Sequence, residues 1–197
     1  MAVVEQVEET ELARRHFTSA DIAALPSDLP SGPVDYALIQ GRLVIMMSPA
    51  GEQHGGIQAN IIAALVSQGR DRGLGKVRSE TGVVLSRNPD TVVGPDAMFV
   101  ANRSLPIKTS PEGYLESIPN LVVEIRSKND SLREMDEKVA RYLAAGVELV
   151  WIVDPPRQTV IAHRRGAPPT EFSPSAVLTA EDIIAGFRLP VADVFVD

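Results

Sequence analysis

Between His54 and Gln68 the apolar positions Ile57, Ile61, Ala64 and Leu65 recur at three-to-four spacing, which predicts an amphipathic helix with His54 on the same stripe. A second helix is predicted where Leu132, Met135, Val139, Tyr142 and Leu143 fall on one face at about 100° per residue. Ser131 and Glu134 have the spacing of a capping box at its start, and Gly146 supplies a stop. Elsewhere the pattern is that of strands. DYALIQGRLVIMMSP reads as a hairpin turning at Gln40-Gly41, and RDRGLGKVRSETGVVLS as extended chain. TVVGPDAMFV, apolar on both faces, reads as a central strand with Asp96 at its start. ELVWIVD and TVIAHR flank the turn PPRQ as a second hairpin. Short helices are expected after Thr18 or Ser19 and near Glu181. Two main helices alternating with a mostly buried sheet predict an α/β or α+β fold. The chain divides into an acidic N-terminal tail, residues 1–15, and one domain over 16–197.

Composition narrows the chemistry. The chain has no cysteine, which excludes disulfides, thiol catalysis and Cys-ligated metal, so any metal ligands are oxygens or histidine. The start MAVVEQVEETELARR carries four glutamates where a signal peptide needs a basic start and an apolar run. The longest apolar stretches, such as IIAALV, fall far short of the roughly 20 residues that span a bilayer. A soluble cytoplasmic protein without a membrane partner is expected. The net charge of −7 argues against a protein that coats nucleic acid non-specifically. Basic residues gather only locally, as at Arg70, Arg72, Lys76 and Arg78.

LVVEIRSKND opens as a buried strand and then sets Glu124 in it, with Arg126 two positions on and on the same side. A carboxylate removed from water is costly unless paired, so Glu124 calls for a cation, a metal or a proton. Asp96 is the second carboxylate in strand-like surroundings. On adjacent strands, about 5 Å apart, the two would repel unless they shared a cation, and a hard divalent ion such as Mg²⁺ meets that need. Lys138 lies on the border of the second helix's stripe beside Tyr142, where its stem can run over apolar surface to the sheet edge. Glu134, four residues before it, offers a routine helix pair instead. Arg126 is either a phosphate contact or the partner of Glu124, and an arginine cannot serve as a general base. His54 and Glu80 are further candidates near the site. GLGK at 73–76 lacks the spacing and hydroxyl of a phosphate loop.

Pro95-Asp96, then Glu124 in a strand, then a lysine, resemble the PD-(D/E)XK nuclease superfamily, in which metal held by Asp and Glu activates water against a phosphodiester. More closely, the chain resembles the Uma-type restriction-endonuclease-like family, formerly a domain of unknown function. The residues that carry this are GRLVIMMSP with GEQH, VGPDAMFV, PNLVVEIRS, EKVARYLAAGV, VWIVDP and GFRLPVADVF. The resemblance implies a restriction-endonuclease-like core, a mixed central sheet flanked by helices. It implies a DNA endonuclease using Mg²⁺ or Mn²⁺, with Asp96 and Glu124 as metal ligands and Lys138 assisting the attacking water. In the superfamily the lysine follows the glutamate by two positions; here that position is Arg126, and in the Uma-type family the lysine lies on the following helix. His54 matches a histidine at the start of the early helix. Leu149-Val150 stand where the family tends to show Glu-Tyr. A homodimer is expected, because two-fold symmetry would set two sites against two strands. The alternative is a degenerate nuclease-fold module that binds nucleic acid or protein without cutting, which Arg126 favours.

Overall fold

A computed structural model describes residues 16–30, 32–47, 51–128 and 130–196. The acidic tail, residues 1–15, and the last two residues of the expected first hairpin, 48 and 49, lie outside the described residues. In chain order the elements are α1 (Ser19–Ala23), β1 (Asp28–Leu29), β2 (Gly32–Ile39), β3 (Arg42–Met47) and α2 (Glu52–Leu65). There follow β4 (Gly75–Arg78), β5 (Val83–Ser86), β6 (Thr91–Val93), β7 (Ala97–Ala101), β8 (Leu121–Ile125) and α3 (Leu132–Ala145). The chain ends with β9 (Leu149–Asp154), β10 (Thr159–Arg164), β11 (Thr170–Phe172), β12 (Val177–Thr179), β13 (Arg188–Pro190) and α4 (Val191–Val194).

The central sheet has six strands in the order β11-β10-β9-β8-β7-β4, and β8 and β9 run parallel while the other pairs are antiparallel. A parallel pair cannot be closed by a tight turn, so the chain crosses over through α3. Odd-numbered strand residues, Phe99, Leu121, Val123 and Trp151 among them, face α2 and bury its Ile57, Ile61 and Leu65. Even-numbered ones, Met98, Val122, Val150 and Ile152, face Met135, Val139 and Tyr142 of α3. Each large apolar side chain so buried contributes about 1.5–3 kcal/mol. The fold is thus the expected α+β arrangement, a mixed sheet with a helix on each face.

A second, smaller sheet runs β1-β2-β6-β5 with β3 also on β2. The β2–β3 hairpin turns at Gln40 and Gly41, both at positive φ (51° and 72°), as an amide-glycine turn requires. α1 is capped as expected: Thr18 Oγ1 accepts from the Asp21 amide at 3.3 Å and the Asp21 carboxylate accepts from the Thr18 amide at 2.8 Å.

Two expectations need correction. TVVGPDAMFV is not one strand: β6 belongs to the smaller sheet and β7 to the central one, with Gly94 and Pro95 between them. Proline has no amide hydrogen to donate to a ladder, so the chain changes sheets there. The stretch near Glu181 makes turns rather than a helix, and its carboxylate accepts the amide of Gly186 at 2.8 Å, where the chain takes φ +73°.

Candidate active site

Glu124 lies in β8 on the row that faces α3, and it is 5% exposed. Its two oxygens are held separately by two residues of that helix. Lys138 Nζ donates to Oε2 at 2.8 Å and the Tyr142 hydroxyl donates to Oε1 at 2.5 Å. Lys138 and Tyr142 are four residues apart and so share a face. The helix that presents them is fixed at both ends: Ser131 and Glu134 form the capping box read from the sequence, and Gly146 closes it at φ 114°. Glu134 is engaged in that cap, and Lys138 reaches across to β8 instead.

Asp96 sits just before β7, and the β7–β8 register pairs Ala97 with Val123, so one further step sets Asp96 across from Glu124. Its Oδ2 accepts the Ile125 amide at 2.6 Å, and its Oδ1 is 3.1 Å from His54 Nε2. Gln58, one turn along α2 from His54, donates to the Asp96 carbonyl at 2.8 Å and to the Glu80 carboxylate at 2.6 Å. Glu80 is exposed and holds φ +50°, a left-handed conformation that costs a non-glycine residue about 1–3 kcal/mol.

The charges act on one another. Burial pushes the Glu124 carboxyl up, and the Asp96 charge adds to this, outweighing the pull of Lys138 and Tyr142 in the other direction. Burial opposes the Lys138 ammonium, but the attraction and hydrogen bond of Glu124 prevail and raise it above its ordinary value. Lys138 therefore stays an ammonium at neutral pH. Tyr142 is lifted well above its usual range by burial and by Glu124, so its hydroxyl keeps its proton as a donor. The hydrogen bond to Asp96 raises His54, against burial.

Arg126 is not the partner of Glu124. The parallel register pairs Ile125 with Val153, and one step further Arg126 meets Asp154, with Nη2 to Oδ1 at 3.1 Å. The contact is an ion pair without an aligned hydrogen bond, since Asp154 Oδ1 and Arg126 Nε are both buried without a hydrogen-bond partner. Asp96, Glu124, Lys138 and His54 are thus joined through direct bonds or the β7–β8 register, Glu80 is joined through Gln58, and Arg126 stands apart with Asp154. Tyr142, Gln58 and Asp154 were missed by sequence reasoning. Only Tyr142 gave a signal, its i,i+4 spacing from Lys138.

The donor set suits a hard cation. Asp96 and Glu124 offer oxygen donors, and each carboxylate oxygen engaged by one donor retains a lone pair. Among the described residues no three His, Asp or Glu side chains form a metal-holding group. A cation held by two carboxylates that fills its shell with water and phosphate oxygens is the habit of Mg²⁺. The residues therefore fit.

No helix among the described residues is long and apolar enough to cross a membrane. No curated protein matches the chain. Among solved structures, a crystal structure described as "a putative nuclease belonging to DUF820" from Anabaena variabilis ATCC 29413 superposes with a TM-score of 0.71. It is 20% identical, and the match covers 89% of this chain and 96% of that one, a likeness of fold. With a match over residues 22–192, the chain belongs to the Uma2 family, whose description reads "Putative restriction endonuclease".

Proposed function

We propose that this chain is a metal-dependent endonuclease that hydrolyses phosphodiester bonds in DNA, with Asp96 and Glu124 holding Mg²⁺ or Mn²⁺. When bound, such a cation supplies Lewis acidity toward the phosphodiester and lowers the pKa of water. The observation that carries the reading is Glu124: a carboxylate buried in a strand, clamped by Lys138 and Tyr142, across the register from Asp96. Apolar packing alone would not call for such a group.

The residues divide the work. His54 and the Ile125 amide fix the two oxygens of Asp96, and Tyr142 fixes one oxygen of Glu124. The Lys138 ammonium spends one of its three N–H donors on Glu124 and turns the others to the attacking water or to a phosphate oxygen as charge develops. Arg126, anchored on Asp154, offers its remaining N–H groups to a phosphate of the substrate. A two-fold dimer acting in the cytoplasm would set two such sites against the two strands of a duplex.

Plasmid DNA incubated with the protein and Mg²⁺ should be nicked or linearised, and chelator or Glu124→Gln should abolish this. Cutting that persists in Glu124→Gln points to a contaminant and removes the proposal. One observation favours a second reading. Arg126 occupies the usual lysine position and is tied to Asp154 rather than Glu124, as in a module that binds nucleic acid or protein without cutting. DNA retention in a gel-shift assay, with no cleavage in Mg²⁺ or Mn²⁺, would select it.

A further inference from the structure

A cavity of about 330 Å³ opens beside the site, between α1, the smaller sheet and the segment from Glu80 to Gly82. Two tyrosines, Tyr36 and Tyr114, line it. The Tyr114 ring rests on bare backbone: a Cβ at Gly82 would stand 2.5 Å from that ring, so the position needs glycine and the ring is held in place. The Tyr36 hydroxyl is anchored on the Pro26 carbonyl at 2.8 Å. Gly94 also lines the cavity, and Asp96 follows two residues later along the chain. Glu80 stands on the wall and connects through Gln58 to the Asp96 carbonyl. The charged residues that line the space are Asp35 and Glu80, and among the described residues no lysine or arginine does.

These features select an occupant. Aromatic walls suit a flat, uncharged ring, since base stacking on aromatic side chains is the common device for unpaired nucleotides. Two carboxylates without a cation exclude phosphate and welcome N–H donors. We propose that this cavity takes one unstacked nucleobase bearing an exocyclic amino group. The base belongs to the strand whose phosphate lies at Asp96 and Glu124, and this placement rests on the nuclease reading. Cytosine, adenine and guanine meet the requirement; thymine, whose single ring N–H lies between two carbonyls and which has no amino group, does not.

The test is a titration of the full chain with deoxycytidine, deoxyadenosine and thymidine in turn, followed by the NMR signals of the Tyr36 and Tyr114 rings. Deoxycytidine and deoxyadenosine should shift those signals and bind about tenfold more tightly than thymidine, the ratio one hydrogen bond to a charged acceptor supports. Tyr114→Leu should weaken binding about tenfold through lost stacking. Asp35→Asn with Glu80→Gln should erase the preference over thymidine; these side chains are exposed, so the fold is retained. Equal binding of thymidine overturns the proposal. So do ring signals that stay still at millimolar nucleoside, or a preference that survives the double substitution. The titration needs neither metal nor cleavage, so it fails separately from the nuclease reading: a chain that cuts plasmid but ignores nucleosides loses only the cavity's role.

Discussion

Replacing Lys138 with methionine keeps the aliphatic stem and removes the charge, leaving the Glu124 carboxylate, whose side chain is 6% exposed, without its cation. Breaking one side of a buried ion pair costs about 3–5 kcal/mol. The Lys138 side chain is 34% exposed, so solvent already screens part of the interaction and about 2 kcal/mol is expected. For a chain of this size that is roughly 4–8 °C in Tm. The penalty depends on pH in a defined sense. Glu124 is raised in the folded state, and losing Lys138 raises it further. A raised carboxyl binds its proton more tightly when folded, so stability falls as pH rises from the unfolded value, 4.5, through the folded one. Lys138→Met should therefore be milder at pH 5 than at pH 8. Urea unfolding in chelator, followed by the fluorescence of the buried Trp151, the chain's single tryptophan, reads this directly. In a double-mutant cycle with Glu124→Gln the two substitutions should couple by about 2 kcal/mol. An equal penalty at both pH values, or coupling below about 0.5 kcal/mol, refutes the clamp.

Tyr142→Phe deletes the donor to Glu124 Oε1 and leaves a buried carboxylate oxygen unsatisfied; the urea midpoint should fall by the equivalent of about 2 kcal/mol with an unchanged slope. His54→Gln should narrow the pH range of stability. The raised His54 contributes fully below its ordinary 6.5, and that contribution is lost as pH rises through its folded value. The Tm gap between native and His54→Gln proteins, measured in chelator, should accordingly be larger at pH 6 than at pH 8.5.

Much of this site is written in local patterns. Glu124 stands out because a charge interrupts an apolar strand, and the Ser131/Glu134 cap and Gly146 delimit the helix that meets it. The hairpin from Leu149 to Arg164 follows from alternation and the proline turn, and its register pairs Asp154 with Thr159. What local pattern cannot carry is which partners meet across the fold. Tyr142 sits in an apolar stripe, so periodicity assigned it to the core and passed over its hydroxyl. The pairing of Arg126 with Asp154 depends on β8 and β9 being parallel neighbours, a fact of topology. The break at Gly94-Pro95 was hidden because both halves of the segment are buried, each in a different sheet.

The parallel crossover has a temporal consequence. Asp96 and Glu124 precede in the chain the helix that clamps Glu124, and that helix packs on side chains of β7, β8 and β9 together. A chain growing from its N-terminus thus carries both acids before the Lys138 ammonium exists, 14 residues after Glu124. Among the residues of this cluster, Lys138 and Tyr142 are therefore the last to be made.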